Sequence, residues 1–191
     1  MMKDIKKGIA VVFAGGKSSR MGKDKALLPF AHHSTLAEYQ YDRLSKLFTK
    51  VYISAKGNKF DFDVNIIEDG YEDSSPLVAL ISVFETLDVE EVFILSVDAP
   101  FVGDEIIEQL YAEAKENSVA IVAESEQGLE PLCGIYRRSI LIKAKEALSV
   151  NNHRLVTLLN EVGVQKVEVD DVESFMNLNH PFEYEEAKKR V

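Results

Sequence analysis

Between Phe13 and Lys25 the chain reads Phe13-Ala14-Gly15-Gly16-Lys17-Ser18-Ser19-Arg20-Met21-Gly22-Lys23-Asp24-Lys25, residue types suited to holding a polyanion. Gly15 and Gly16 let main-chain amides approach an anion with no side chain in the way. Arg20 can fork across phosphate oxygens, and Lys25 can add a point charge. Lys17, Arg20, Lys23 and Lys25 face a single acid, Asp24, in a chain whose net charge is −10. Two common nucleotide loops fail on spacing. A dinucleotide fingerprint needs glycine, any residue, glycine, two residues, glycine. Here the glycines stand at 15, 16 and 22, and the second expected strand ends in Ser54-Ala55 rather than in an acid. A P-loop needs a glycine five residues before Gly16-Lys17-Ser18, and that position is Val11. Two readings stay open on the residues alone: a different phosphate-binding loop, or a Gly-Gly turn beside a solvated basic patch.

Asp98 is the second chemical candidate. It follows the apolar run Val92–Val97 and opens Asp98-Ala99-Pro100. A carboxylate at the C-terminal end of a strand suits Mg²⁺, which is held by one or two carboxylates plus substrate phosphates. The same residue could simply start the turn before Pro100. Cys133 is the only cysteine, so no internal disulfide is possible and a cytoplasmic setting is the simplest expectation. Its apolar surroundings suggest a buried, inert thiol rather than a nucleophile. His32-His33 is an adjacent pair whose side chains would not converge on one ion, so no zinc site is read there.

These residues need a frame. The chain has 191 residues, enough for one domain spanning 1–191. Segments that read as strands (Ile9–Phe13, a continuous apolar run, then Val51–Ser54, Val64–Ile67, Val92–Val97, Val119–Val122, Pro131–Tyr136 and Val164–Val169) alternate with segments of helical pattern. Helices are expected after Ser34-Thr35 through Leu47, from Ser75-Pro76 through Phe84, and over 103–114, 139–148, 152–161 and 181–189. This alternation implies an α/β fold: a mostly parallel, twisted sheet with helices on both faces. Ligands of such sheets bind beyond the carboxyl ends of the strands. Gly15-Gly16 and Asp98 both fall there. No run approaches the ~20 apolar residues needed to cross a bilayer. The stretch Ile9–Ala14 is too short for a signal-peptide core. The acidic surface repels nucleic-acid backbone and anionic lipid, so neither a nucleic acid nor a membrane is an expected partner.

The loop Ala14-Gly15-Gly16-x-Ser18-x-Arg20-Met21-Gly22-x-Asp24-Lys25 resembles the signature of the molybdenum cofactor guanylyltransferases, a branch of the nucleotidyltransferase superfamily. Further matches follow in order: Ile67-Glu68-Asp69, Ser75-Pro76-Leu77, Asp98-Ala99-Pro100, Glu130-Pro131-Leu132 and Asn177-Leu178-Asn179-His180-Pro181. Ser54 stands where the family often has Asn, and Ser75 where it has Gly, so the surroundings of the base depart from the pattern. Glu130 and Arg154 fall where the family approaches its acceptor, although a solvated glutamate and a helix-surface arginine are the simpler readings.

The resemblance implies a Rossmann-like nucleotidyltransferase fold and transfer of GMP from GTP to the phosphate of molybdopterin, or its molybdenum form, with release of pyrophosphate. Arg20, Lys25 and Asp98 are then the expected catalytic residues. The nucleotide is expected against Phe13, Ala14, Gly15, Gly16, Lys25, Ser54, Asp69 and Asp98. Mg²⁺ is expected on Asp98 and Asn179, the latter being alternatively a helix cap. Transient partners would come from molybdenum-cofactor biosynthesis or from the enzymes that receive the cofactor. Other readings are a relative using CTP or another phosphorylated acceptor, and a GTP-binding adaptor without catalysis.

Overall fold

The computed structural model describes residues 6–15 and 22–191. Seven strands form one sheet in the order β3-β2-β1-β4-β6-β5-β7. They are β1 (Lys7–Phe13), β2 (Phe48–Ala55), β3 (Ile66–Glu68), β4 (Glu91–Ser96), β5 (Ala120–Ser125), β6 (Gly128–Arg137) and β7 (Gln165–Glu168). The helices are α1 (Leu36–Leu47), α2 (Pro76–Thr86), α3 (Asp104–Glu113), α4 (Leu141–Ser149), α5 (Leu155–Val162) and α6 (Pro181–Ala187).

The apolar run of β1 is buried because both faces of the sheet are covered. Side chains alternate across it: Ala10 and Val12 join one core, Val11 and Phe13 the other. β4 splits likewise, with Phe93 and Leu95 on the first side and Val92 and Ile94 on the second. Helices α1, α3 and α6 supply the first core through residues such as Leu44, Ile107 and Tyr184. Helices α2, α4 and α5 supply the second through Phe84, Ala144 and Leu158. Local chemistry starts two of these helices as expected. Thr35 Oγ1 accepts from the Glu38 amide at 3.0 Å, and Ser75 Oγ accepts from the Val78 amide at 3.2 Å with Pro76 at the first helical position. Residues 77–84 of α2 are buried all round, since the helix lies between the sheet and α4.

The sheet is parallel except at β6, which runs antiparallel to both neighbours, β4 and β5. Its pairing with β5 jumps from Val122–Gly134 to Ala123–Glu130. Pro131, Leu132 and Cys133 therefore have no partner on β5. Pro131 has no amide hydrogen to donate, which suits the break. The bulge carries Glu130–Cys133 to the carboxyl end of β4, beside Asp98. Gly134 sits where strands crowd: a Cβ there would lie 2.6 Å from the Ile121 carbonyl oxygen. Gly134→Ala is expected to lose about 1–3 kcal/mol of stability, read as a lower denaturant midpoint with unchanged slope.

Candidate functional site

The site lies at the carboxyl ends of β1, β2 and β4. Phe13 pairs with Ser54 on one side and Ser96 on the other, so these residues form one row across the sheet. The chain leaving this row is tied down by backbone bonds. The Ala14 amide donates to the Ser54 carbonyl at 2.9 Å, the Val97 amide to Phe13 at 3.0 Å, and the Asp69 amide to Ala55 at 3.1 Å. Side chains just past the row are thus set by the sheet itself.

Three expected residues meet at one point. Lys25 opens a short 3₁₀ turn, Lys25–Leu27, whose cap is Asp24: Asp24 Oδ1 accepts from the Ala26 amide at 3.0 Å. Ala26 is buried in the core and anchors the turn. From there Lys25 Nζ reaches Asp98 Oδ2 at 2.8 Å and Asn179 Oδ1 at 3.0 Å. Asp98 is held from two sides. Ser96 Oγ donates to its other carboxylate oxygen, and its carbonyl accepts from the Leu178 amide at 2.9 Å. The expected cap role of Asn179 does not hold. His180 is the cap residue of α6, and Glu183 accepts from the amides of both Asn179 and His180. The Asn179 side chain is thereby left to face Lys25.

A groove runs along this edge in three connected hollows. The first, about 230 Å³, is lined by Ser96, Asp98, Glu130, Leu132, Asn177 and Asn179, among others. The second, about 150 Å³, shares Ser96 and Leu132 and adds Phe13, Gly15, Asp69, Ser75 and Ala79. The third, about 750 Å³ and more open, shares Gly15 and Ser75 and adds Lys56, Lys59 and His153. Gly15 lies beside Asp69: a Cβ there would stand 3.4 Å from Asp69 Oδ2, an ordinary contact. Ser54 is buried, and its hydroxyl donates to Asp69 Oδ1 at 3.0 Å. It therefore orients Asp69 from beneath rather than opening onto the groove. Gly16 and Arg20 lie outside the described residues.

Other expectations are sharpened. Glu130 is half-buried rather than freely solvated. Burial raises its carboxyl above the usual range, and a 2.8 Å bond from Ser125 Oγ partly offsets this. Cys133 is buried, which pushes its thiol up to about 12, as expected of an inert cysteine. Arg154 is exposed at the start of α5, whereas His153 beside it bonds Ser75 Oγ through Nδ1 at 3.1 Å. Sequence reasoning missed Ser96 and Lys59. Ser96 lies inside an apolar strand and gives no signal. Lys59 could have been noticed, since Lys56 and Lys59 follow directly on a strand's carboxyl end. Among the described residues no helix is long and apolar enough to cross a membrane.

Residues 10–167 match the MobA-like NTP transferase domain. The molybdenum cofactor guanylyltransferase of Campylobacter jejuni (strain RM1221) is 37% identical over 183 residues, covering 95% of each chain. That of Helicobacter pylori (strain G27) is 35% identical over 185 residues, covering 93% of this chain and 90% of the relative. The fold matches molybdopterin-guanine dinucleotide biosynthesis protein A from Archaeoglobus fulgidus with a TM-score of 0.82 at 20% identity, over 95% of this chain and 97% of that one. The chain therefore belongs to the MobA-like NTP transferase family and is a nucleotidyltransferase.

Proposed function

We propose that the protein transfers GMP from GTP to the phosphate of molybdopterin, or its molybdenum form, making the guanine dinucleotide cofactor. The observation that carries this is the meeting of Lys25, Asp98 and Asn179 at the carboxyl edge of the sheet. The guanylyltransferases named above, similar over nearly the whole chain, support the donor and the acceptor.

An oxygen of the acceptor phosphate forms the new bond to the α-phosphorus of GTP, and the bond from that phosphorus to the bridging oxygen breaks, releasing pyrophosphate. The attacking phosphate is already ionised at neutral pH, so no serine, cysteine or histidine nucleophile is needed. What the chain supplies is positioning and charge. Two anions at 4 Å repel by about 4 kcal/mol at an effective dielectric of 20. Lys25, with Arg20, offsets that charge on the triphosphate and on the departing pyrophosphate.

Asp98 and Asn179 present one carboxylate and one amide oxygen to a single cation, the Lys25 ammonium. Such an all-oxygen pair fits Mg²⁺, which takes few protein ligands and completes its shell with phosphates and water. Bound there, Mg²⁺ would neutralise phosphate oxygens around the reacting phosphorus. The nucleotide is taken to lie against the strand end at Phe13, Ala14 and Gly15, where the groove opens. Asp69, turned by Ser54, suits the adjacent N–H donors of guanine, because a carboxylate accepts from both at once.

Incubation with GTP, Mg²⁺ and molybdopterin is expected to yield the guanine dinucleotide by mass, with stoichiometric pyrophosphate. Preferential use of CTP, or GTP binding without pyrophosphate for any phosphorylated acceptor, would overturn the proposal.

A further inference from the structure

We infer that Gln40, locked by Arg43, is a positioning residue for Asp98: the two side chains form a buried strut from α1 that fixes the turn presenting its carboxylate. This rests on the reading of Asp98 as the metal-holding residue. Gln40 is fully buried, on a helix whose other buried residues are Leu36, Ala37 and Leu44. A buried amide needs partners, and Gln40 finds them around Asp98. Gln40 Nε2 has two hydrogens and two acceptors: the Ser96 carbonyl at 3.3 Å and the Ala99 carbonyl at 3.0 Å. Those carbonyls flank Asp98 in the chain. The Ala99 amide also donates to the Ser96 carbonyl at 3.3 Å. The turn is thus closed from within and gripped from the core side.

Arg43 stands three positions further along α1, on the same face. Its Nη2 donates to Gln40 Oε1 at 2.8 Å, and its Nη1 donates to the Val102 carbonyl and lies 3.7 Å from Asp104 Oδ1. A guanidinium only donates, so it holds the oxygen end of the Gln40 amide and leaves the nitrogen end for the two carbonyls. Arg43 therefore sets which way the amide points. Among the described residues its buried Nε has no hydrogen-bond partner. Packing alone does not call for such a group, since apolar side chains of similar volume serve a buried contact as well. What the pair adds is a fixed path for the chain from Ser96 to Val102. Ser96 Oγ and Lys25 Nζ then aim the Asp98 carboxylate on the groove side. Gln40 never reaches the groove, so it acts only through Asp98.

The test compares Gln40→Met, Gln40→Glu and Arg43→Met with the wild type, and Gln40→Met again in an Asp98→Ala background. Methionine keeps the length of the side chain and removes both donors. Glutamate keeps an acceptor for Arg43 and loses the donors to the carbonyls. In Gln40→Met the Kd for Mn²⁺ in the presence of GTP is expected to rise about tenfold. The Mg²⁺ concentration for half-maximal pyrophosphate release should rise in parallel, while the Kd for metal-free GTP stays at the wild-type value. Gln40→Glu should show at least the same metal defect, and Arg43→Met a smaller one. In the Asp98→Ala background Gln40→Met should weaken Mn²⁺ binding no further. In the ligand-free protein, amide hydrogen exchange over 97–102 should quicken in Gln40→Met and Arg43→Met while exchange in β1 is unchanged. Should Gln40→Met not fold, Arg43→Met carries the same comparisons. Wild-type Mn²⁺ affinity in these variants, an equal loss in the Asp98→Ala background, or a matching loss of metal-free GTP binding would each overturn the strut. So would unchanged exchange over 97–102. Equal Mn²⁺ binding in Asp98→Ala and the wild type, with exchange over 97–102 still faster in Gln40→Met, would overturn the metal role of Asp98 and leave the strut standing.

Discussion

Asp98→Ala is expected to lower turnover by about a thousandfold while the protein keeps its fold. Asp98 has a side-chain exposure of 19%, follows the largely buried strand β4 and accepts from both Lys25 and Ser96. Its side-chain contacts are the polar ones to Lys25 and Ser96, so its removal is expected to cost charge placement. Its backbone bond to Leu178 does not depend on the side chain. Initial rates of pyrophosphate release measure the loss, and thermal unfolding checks the fold. Asp98→Asn separates charge from shape. It should be nearly as inactive, because an amide keeps an oxygen but loses the negative charge that holds a divalent cation. In both variants Mn²⁺ binding in the presence of GTP should weaken. Near-normal turnover in Asp98→Ala would sink the role.

Lys25→Met should cost about a hundredfold or more in kcat. The ammonium is the cation that Asp98 and Asn179 share, and its side chain is 16% exposed. Lys25→Arg should not rescue activity fully, because a planar fork cannot place its charge where a compact ammonium sits. A second readout separates charge supply from simple support of Asp98. In the ligand-free protein the ammonium bonds the same Asp98 and Asn179 oxygens that are proposed to hold the metal. Its removal should leave Mn²⁺ binding without nucleotide at least as tight as in wild type. Loss of both turnover and metal binding would mean that Lys25 only holds Asp98 in place.

Much of the frame was legible in the sequence. The run Ile9–Phe13 announced a strand buried on both faces, and its alternate side chains do feed two cores. Thr35 and Ser75-Pro76 mark helix starts because a side-chain oxygen three residues before an unpaired amide is a local matter. The loop Ala14–Lys25 stood out because a basic, glycine-rich stretch is conspicuous in an acidic chain. The reversal of β6 was not legible. Strand direction follows from which edge is free and how the chain returns, and Pro131 alone does not announce a bulge.

By itself, then, the sequence determined the class of fold, and its resemblance to a known family singled out Lys25 and Asp98 as candidates for the site. Only the tertiary structure decided who meets whom. Lys25 reaches Asp98 across 73 positions and Asn179 across 154. Asn179 faces Lys25 because His180 and Glu183 take the capping work. Ser54 turns inward to Asp69, and Lys59 crosses to Ala14 and Asp24. Such contacts depend on strand register and on competition for a few donors. Residue types and local spacing hold no record of either until the sheet is assembled.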